Sequence, residues 1–259
     1  MSATERLKLI IAYDGRHFRG WQSQAAGGSV QDHLQSAFAK LTASPACVQA
    51  SGRTDSGVHA LGQVAHVDVP RGTRAPAAWL TAINANLPAS VRVLRVTRAA
   101  PGFHSRRDAL GKRYVYRIWN GPCHHPLEIG RVWYVARPLD LPAMRAAAAL
   151  LVGRHDFAAF AANRGKIEHN TVRTITRIAI TRRGPLITLR FEGEGFLYKM
   201  VRLLTGTIAR VGEGKADAGF VRVLLASGGR KKSQFTAPPE GLYLDRVFYP
   251  RKKSTAASA

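Results

Sequence analysis

The sequence predicts an α+β protein built on a mostly antiparallel sheet, and three observations carry that prediction. Strand-like and helix-like segments alternate through the first hundred residues, two neighbouring strands then restart the pattern, and a hairpin follows that turns at Arg183-Gly184-Pro185. Adjacent strands and a hairpin do not fit strict βαβ alternation. At 259 residues with 46% hydrophobic content the chain can bury a sizeable core, and it sits near the length at which one core divides into two.

The elements follow in order. Residues 7–13, LKLIIAY, read as a buried strand, and Val30, Leu34, Ala37, Phe38 and Leu41 recur at helical spacing. From Gly62 to Val69 the chain alternates, with Ala65, Val67 and Val69 on one side and His66 and Asp68 on the other, which is the period of a strand. A helix through AAWLTAINANL and a strand VRVLRV complete the first part. The second part opens with strands RYVYRIWN and RVWYVAR, then a helix LPAMRAAAALLVG with Pro142 in its first turn and Gly153 as its stop. The hairpin spans residues 171–193, and helices are expected over 197–212 and 220–227 before a closing strand, GLYLDRVFYP. The organisation expected is an N-terminal half over 1–105, a C-terminal half over 106–250 and a disordered basic tail over 251–259.

Charge narrows the class of partner. Lys plus Arg outnumber Asp plus Glu 39 to 16, a formal charge of +23, and most of the basic residues are arginine. Arginine presents a planar fork that matches phosphate oxygens and stacks on bases, so the partner indicated is nucleic acid. Charges interrupt every hydrophobic run well before about 18 residues, and MSATERLKLI lacks the apolar centre of a secretory signal, so a cytoplasmic protein without membrane association is expected. Cys47 and Cys123 lie far apart with no CxxC, which argues against a disulfide framework or a zinc site.

In this basic chain one acid stands out. Asp55 lies within GRTDSGVHALGQVAHVD, two residues after Arg53 and just before Ser56-Gly57. An Asp-Ser-Gly is ordinary turn chemistry. Here, however, Gly52, Arg53, Thr54, Gly57, His59, Gly62, Gln63 and His66 crowd small and hydrogen-bonding residues into a span where a turn needs two or three, which suits a ligand-facing loop. An aspartic peptidase would need a second carboxylate to share a proton, and there is no second DSG or DTG. A metal site through His59, His66 and Asp68, or through His124 and His125, lacks a third ligand at recognisable spacing, so partly buried, hydrogen-bonded histidines are expected instead.

These motifs give the chain a resemblance to the tRNA pseudouridine synthase A (TruA) family over residues 7–250. The matching segments are YDGRHFRGWQSQ, VQDHL, SGRTDSGVHALGQVAHVD, NANLP, FHSRRDALGKRYVYRI, LVGRHDFAAF, TVRTI, GFLYKMVRLLTG and TAPPEGLYL. The resemblance implies the pseudouridine synthase fold, two ferredoxin-like halves joined across a central cleft. It also implies a homodimer, and isomerisation of uridines in the anticodon stem-loop of tRNA, at positions 38–40, without cofactor or metal. Three departures stand out: Ser56 where Ala is usual, FHSRRDALG in place of the commoner FHARFSA, and the absence of the Asn often found before Gly195-Phe196. They bear on substrate choice rather than on the chemistry.

The chemistry asks for little. Uridine becomes pseudouridine by breaking the bond from N1 to the sugar, turning the base and rejoining it through C5, with no redox change. One ionised carboxylate serves, as nucleophile toward sugar or base or as the base that removes a sugar proton, and a nearby guanidinium favours its ionised form. The resemblance makes Asp55 the catalytic acid, Arg202 its basic partner, and Tyr114 the ring that stacks on the target base. From the residues alone, Tyr114 would be core and Arg202, beside the stripe Leu197, Met200, Val201, Leu204 and Ile208, would lie on a solvated face. Arg53 either pairs with the carboxylate or braces the loop through a phosphate or backbone contact. Arg16, Arg19, Arg106, Arg107, Lys112 and Arg113 are the residues expected along the RNA backbone, ahead of the run Arg230, Lys231 and Lys232, which reads as solvated surface. A non-catalytic RNA-binding or ribosome-associated protein would share the charge and the aromatics but would have no use for the Asp55 loop.

Overall fold

Alternation along the strands decides which face of the sheet is covered. In β1 (Thr4–Tyr13), Leu7, Leu9, Ile11 and Tyr13 are buried, while Lys8, Ile10 and Ala12 on the other face are partly exposed. The helices pack on the buried face. The computed structural model describes residues 3–163 and 169–250, so the expected tail over 251–259 lies outside the described residues.

After β1 come α1 (Val30–Thr42), β2 (Gln49–Ala50), β3 (His59–Pro70), α2 (Pro76–Ala85) and β4 (Val91–Arg98). Ser29 starts α1 with a reciprocal capping box to Asp32, and Phe38 on α1 meets Trp79 on α2, both fully buried. The chain continues through β5 (Gly111–Asn120), β6 (Trp133–Val135), α3 (Leu141–Ala149), β7 (Gly153–Asp156), β8 (Val172–Arg183) and β9 (Leu186–Gly193). It closes with α4 (Met200–Gly212), α5 (Ala218–Ala226) and β10 (Leu242–Phe248).

All the strands join one ten-stranded sheet in the order β4-β1-β3-β10-β5-β9-β8-β7, with β2 added to β3 and β6 beside β5. The fold is α+β with a mixed, mostly antiparallel sheet; the parallel pairs are β10 with β3 and β5 with β6. The last strand of the chain therefore lies in the middle of the sheet. There Leu244 sits between Ala60 of β3 and Tyr114 of β5.

The structure corrects several expected boundaries. The third helix stops at Ala149 rather than Gly153, because Gly153, at φ 117°, opens the edge strand β7 against β8. The fourth helix starts at Met200 rather than Leu197, because Lys199 takes a left-handed conformation at φ 57° and ends helical geometry there. The strand expected at 131–137 shrinks to β6, while β1 and β3 each begin about three residues earlier than their patterns indicate. The two-residue β2 and the polar β7 were not expected; neither carries an alternating apolar pattern.

Candidate active site

The loop between β2 and β3 presents Asp55, and buried hydrogen bonds fix it at three levels. At its base, Gln63 donates to Gly52 O at 2.8 Å and accepts from Ser51 Oγ at 2.8 Å. Midway, Thr54 Oγ1 bonds the hydroxyl of the buried Tyr13 at 2.8 Å, and Thr54 O accepts from Trp21 N at 3.0 Å. Beyond the acid, Val58 N donates to Asp55 O at 3.2 Å, closing a turn. Gly20 lets the neighbouring segment come this near: its φ is +79°, and a Cβ there would lie 2.8 Å from Thr54 O. Ser56, the departure from the usual Ala, donates to Phe18 O at 3.2 Å.

Arg202 arrives from 147 residues further along the chain, in the first turn of α4. Its Nη1 stands 3.4 Å from Asp55 Oδ2, inside ion-pair range though longer than a tight charge-assisted hydrogen bond. The guanidinium is held from behind, since Nε donates to Ala237 O at 2.7 Å and Ala237 N donates to Arg202 O at 3.1 Å. With side-chain exposures of 12% for Arg202 and 20% for Asp55, the pair is largely buried, and of the two Asp55 lines a cleft. The solvated face read from helical periodicity is thus corrected: the segment after α5 folds over α4 and turns that face inward.

The cleft is a cavity of about 660 Å³ between α1 and the start of α4, of the size that encloses a small ligand. Asp55, Arg53, Arg106, Lys112 and Tyr114 all line it. Tyr114 is 8% exposed, and its ring meets Phe196 edge-on at 5.1 Å between centroids. Burial, followed by the nearby Tyr13 and Asp55, raises its phenol well above the usual range, so the ring acts as a neutral platform. Burial, and then Arg106, pulls the Lys112 ammonium down to about 8.

The other basic residues singled out from the sequence do not line this cavity. Arg16 pairs with Asp14 at 2.5 Å and borders a separate 800 Å³ hollow with His59, Arg117 and Tyr243. Arg19 is exposed and reaches Ala26 O at 3.5 Å, and Arg107 is exposed on the turn that His104 and Asp108 close. Asp108, another departure, accepts from His104 N at 2.9 Å. Arg113 points to the opposite sheet face from Tyr114, paired with Asp245 and with Glu192. Cavity residues that sequence reasoning did not single out include Arg173, Phe196 and Lys199. They lie inside TVRTI and GFLYKMVRLLTG, and that grouping was the available signal.

His59 and His66 are buried and hydrogen-bonded within the protein. His66 shares a hydrogen bond of 2.9 Å with Ser105, Asp68 is bound by Arg6, and His59 bridges Gly15 N and Gly130 O. Among the described residues no group of three or more His, Cys, Asp or Glu could hold a metal ion, and no helix is long and apolar enough to cross a membrane.

The sequence that builds this site is similar to that of known proteins. Residues 9–106 and 147–250 match the profile described as tRNA pseudouridine synthase. The chain is 51% identical to the tRNA pseudouridine synthase A of Solidesulfovibrio magneticus, over 94% of this chain and 91% of that protein. It is 42% identical to that of Akkermansia muciniphila, over 95% and 96% of the two chains, and 42% identical to that of Rhodospirillum rubrum, over 98% and 91%. Both matched segments reach the cleft, the first with Asp55 and the second with Phe196 and Met200, and on this evidence the chain belongs to the tRNA pseudouridine synthase family.

Proposed function

We propose that the protein isomerises uridine to pseudouridine in the anticodon stem-loop of tRNA, with Asp55 as its catalytic carboxylate. The observation that carries this reading is the Asp55–Arg202 pair at 3.4 Å, with Asp55 on the wall of a cavity whose lining, among the described residues, contains no second acid. The reaction needs one carboxylate oxygen, and Asp55 presents it beside a fixed guanidinium. That oxygen attacks the sugar or the base, or takes a sugar proton; the glycosidic bond opens, the base turns, C5 takes the place of N1, and the proton leaving C5 is balanced by one gained at N1.

The remaining roles follow from position. A uridine must leave its stack to be rebuilt, and Tyr114, backed by Phe196, offers the face that replaces the lost stacking, worth about 1–3 kcal/mol per base. Arg53 is exposed at the cavity, in reach of a backbone phosphate. Arg16, Arg19 and Arg107 lie outside the cavity, where they serve the RNA remotely from the target base, and Arg113 already has two carboxylate partners. In this reading the halves over 1–105 and 106–250 are the two ferredoxin-like units, the cleft lies where they meet, and two copies form the working homodimer. The support for two halves is the separate packing of α1 with α2 and of α3 with α4 and α5.

Incubation with unmodified tRNA followed by mapping of pseudouridine tests the proposal. Wild type should form product, and Asp55→Ala should form none while its tRNA affinity stays within about threefold, since the carboxylate contributes to chemistry rather than to phosphate binding. Product from Asp55→Ala would remove Asp55 from its role, and an inactive wild type would remove the function.

A further inference from the structure

Lys112 has a place in the cleft that the isomerisation does not explain. It lies on β5 two residues before Tyr114, on the same sheet face, and lines the Asp55 cavity. Its ammonium makes no hydrogen bond or ion pair with any described residue, although burial already weakens its hold on the proton. The side chain is half-buried and its ammonium lines the cavity, a placement that suits an anionic ligand. Arg106, a second cation, stands close enough to weaken that hold on the proton further.

Gly52 is the second observation. A Cβ at this position would lie 2.7 Å from Lys112 Nζ and 3.4 Å from Cε. The backbone of Gly52 lies outside the left-handed region, so no turn geometry demands glycine there. What the missing side chain provides is room for the ammonium, on the same loop that presents Asp55 three residues later.

We infer that Lys112 and Arg106 hold the phosphodiester flanking the flipped uridine, and that Gly52 is bare so that the ammonium can reach it. The inference rests on the proposed isomerisation at Asp55. A neutral acceptor such as a uracil carbonyl would satisfy one donor of Lys112 but leave two like charges facing each other, whereas a phosphate offsets both. Lys112 is a positioning residue: it fixes the nucleotide backbone while base and sugar enter between Tyr114 and Asp55.

The test is a double-mutant cycle on wild type, Lys112→Ala, Gly52→Ala and the double variant. Each is assayed for affinity and single-turnover rate on unmodified tRNA carrying either native phosphates or one neutral methylphosphonate beside the target uridine. On native RNA, Lys112→Ala should weaken binding roughly tenfold and reduce the slope of log affinity against log salt by about one. The neutral linkage should weaken wild type by a similar factor and Lys112→Ala no further. Gly52→Ala displaces only the end of a flexible side chain, so it should keep the wild-type melting temperature, reproduce the loss, and add nothing in the double variant. Additive losses from Lys112→Ala and the neutral linkage, or wild-type behaviour of Gly52→Ala, would overturn the inference. If Lys112→Ala does not fold, Gly52→Ala with the two RNAs gives the same decision. An inactive wild type on native tRNA would overturn the isomerase reading itself, which separates the two failures.

Discussion

Arg202 shows how much can depend on one fork. Its Nε is committed to Ala237 O and its Nη1 to Asp55, so a single planar group ties Asp55 to a backbone segment 35 residues beyond the arginine. Arg202→Lys keeps the charge but cannot make both contacts. The expected outcome is a fall in single-turnover rate of roughly a hundredfold with tRNA affinity within about threefold, because a misplacement near 1 Å is enough for such a loss. A rate within threefold of wild type would mean that charge alone suffices. At this scale the sequence was uneven in what it revealed. Asp55 was legible because small and polar residues crowd its loop, whereas alternation assigned Tyr114 to the core and the family resemblance singled it out. Arg202 was not, since helical periodicity sees only its own helix, and what buries this residue is the segment around Ala237. The family resemblance, not the pattern of residues, pointed to it.

At the scale of elements, α4 is the part whose packing the chemistry relies on. Gly206, in its middle, touches backbone: a Cβ there would lie 1.8 Å from Phe235 O and 3.2 Å from Ala237 N. Since Ala237 clamps Arg202, Gly206→Ala should act twice. It should cost about 3 kcal/mol of stability by urea denaturation, as overpacking against a rigid neighbour does, and should depress activity of the remaining folded enzyme. Wild-type stability and rate would show that the 235–237 segment can shift without consequence. Boundaries were the least legible feature of the elements. Lys199 in a left-handed conformation delays α4, and nothing in LYKMVR announces it, because a lysine carries no propensity for that region. β7 escaped for a related reason: Gly-Arg-His-Asp has no apolar alternation and becomes a strand only because β8 offers an edge.

The whole molecule carries a formal charge of +23, far more than one cleft uses. Binding of tRNA should weaken by about a thousandfold or more between roughly 50 and 200 mM salt, as the release of counterions from six or more phosphates requires. Affinity that stays flat over that range, measured by filter binding or fluorescence, would mean that the charge is not engaged with RNA. The class of the fold and most of its elements could be read in advance, because periodicity and turns are local. The order of strands could not, since nothing in GLYLDRVFYP says that it belongs between His59–Pro70 and Gly111–Asn120. That central placement of β10 has a consequence for biosynthesis. Translation delivers the N-terminal part first, yet the seam between β3 and β5 waits for Leu242–Phe248. A nascent chain that has not yet released these residues lacks its middle strand, so the parts that carry Asp55 and Arg202 cannot be held in register.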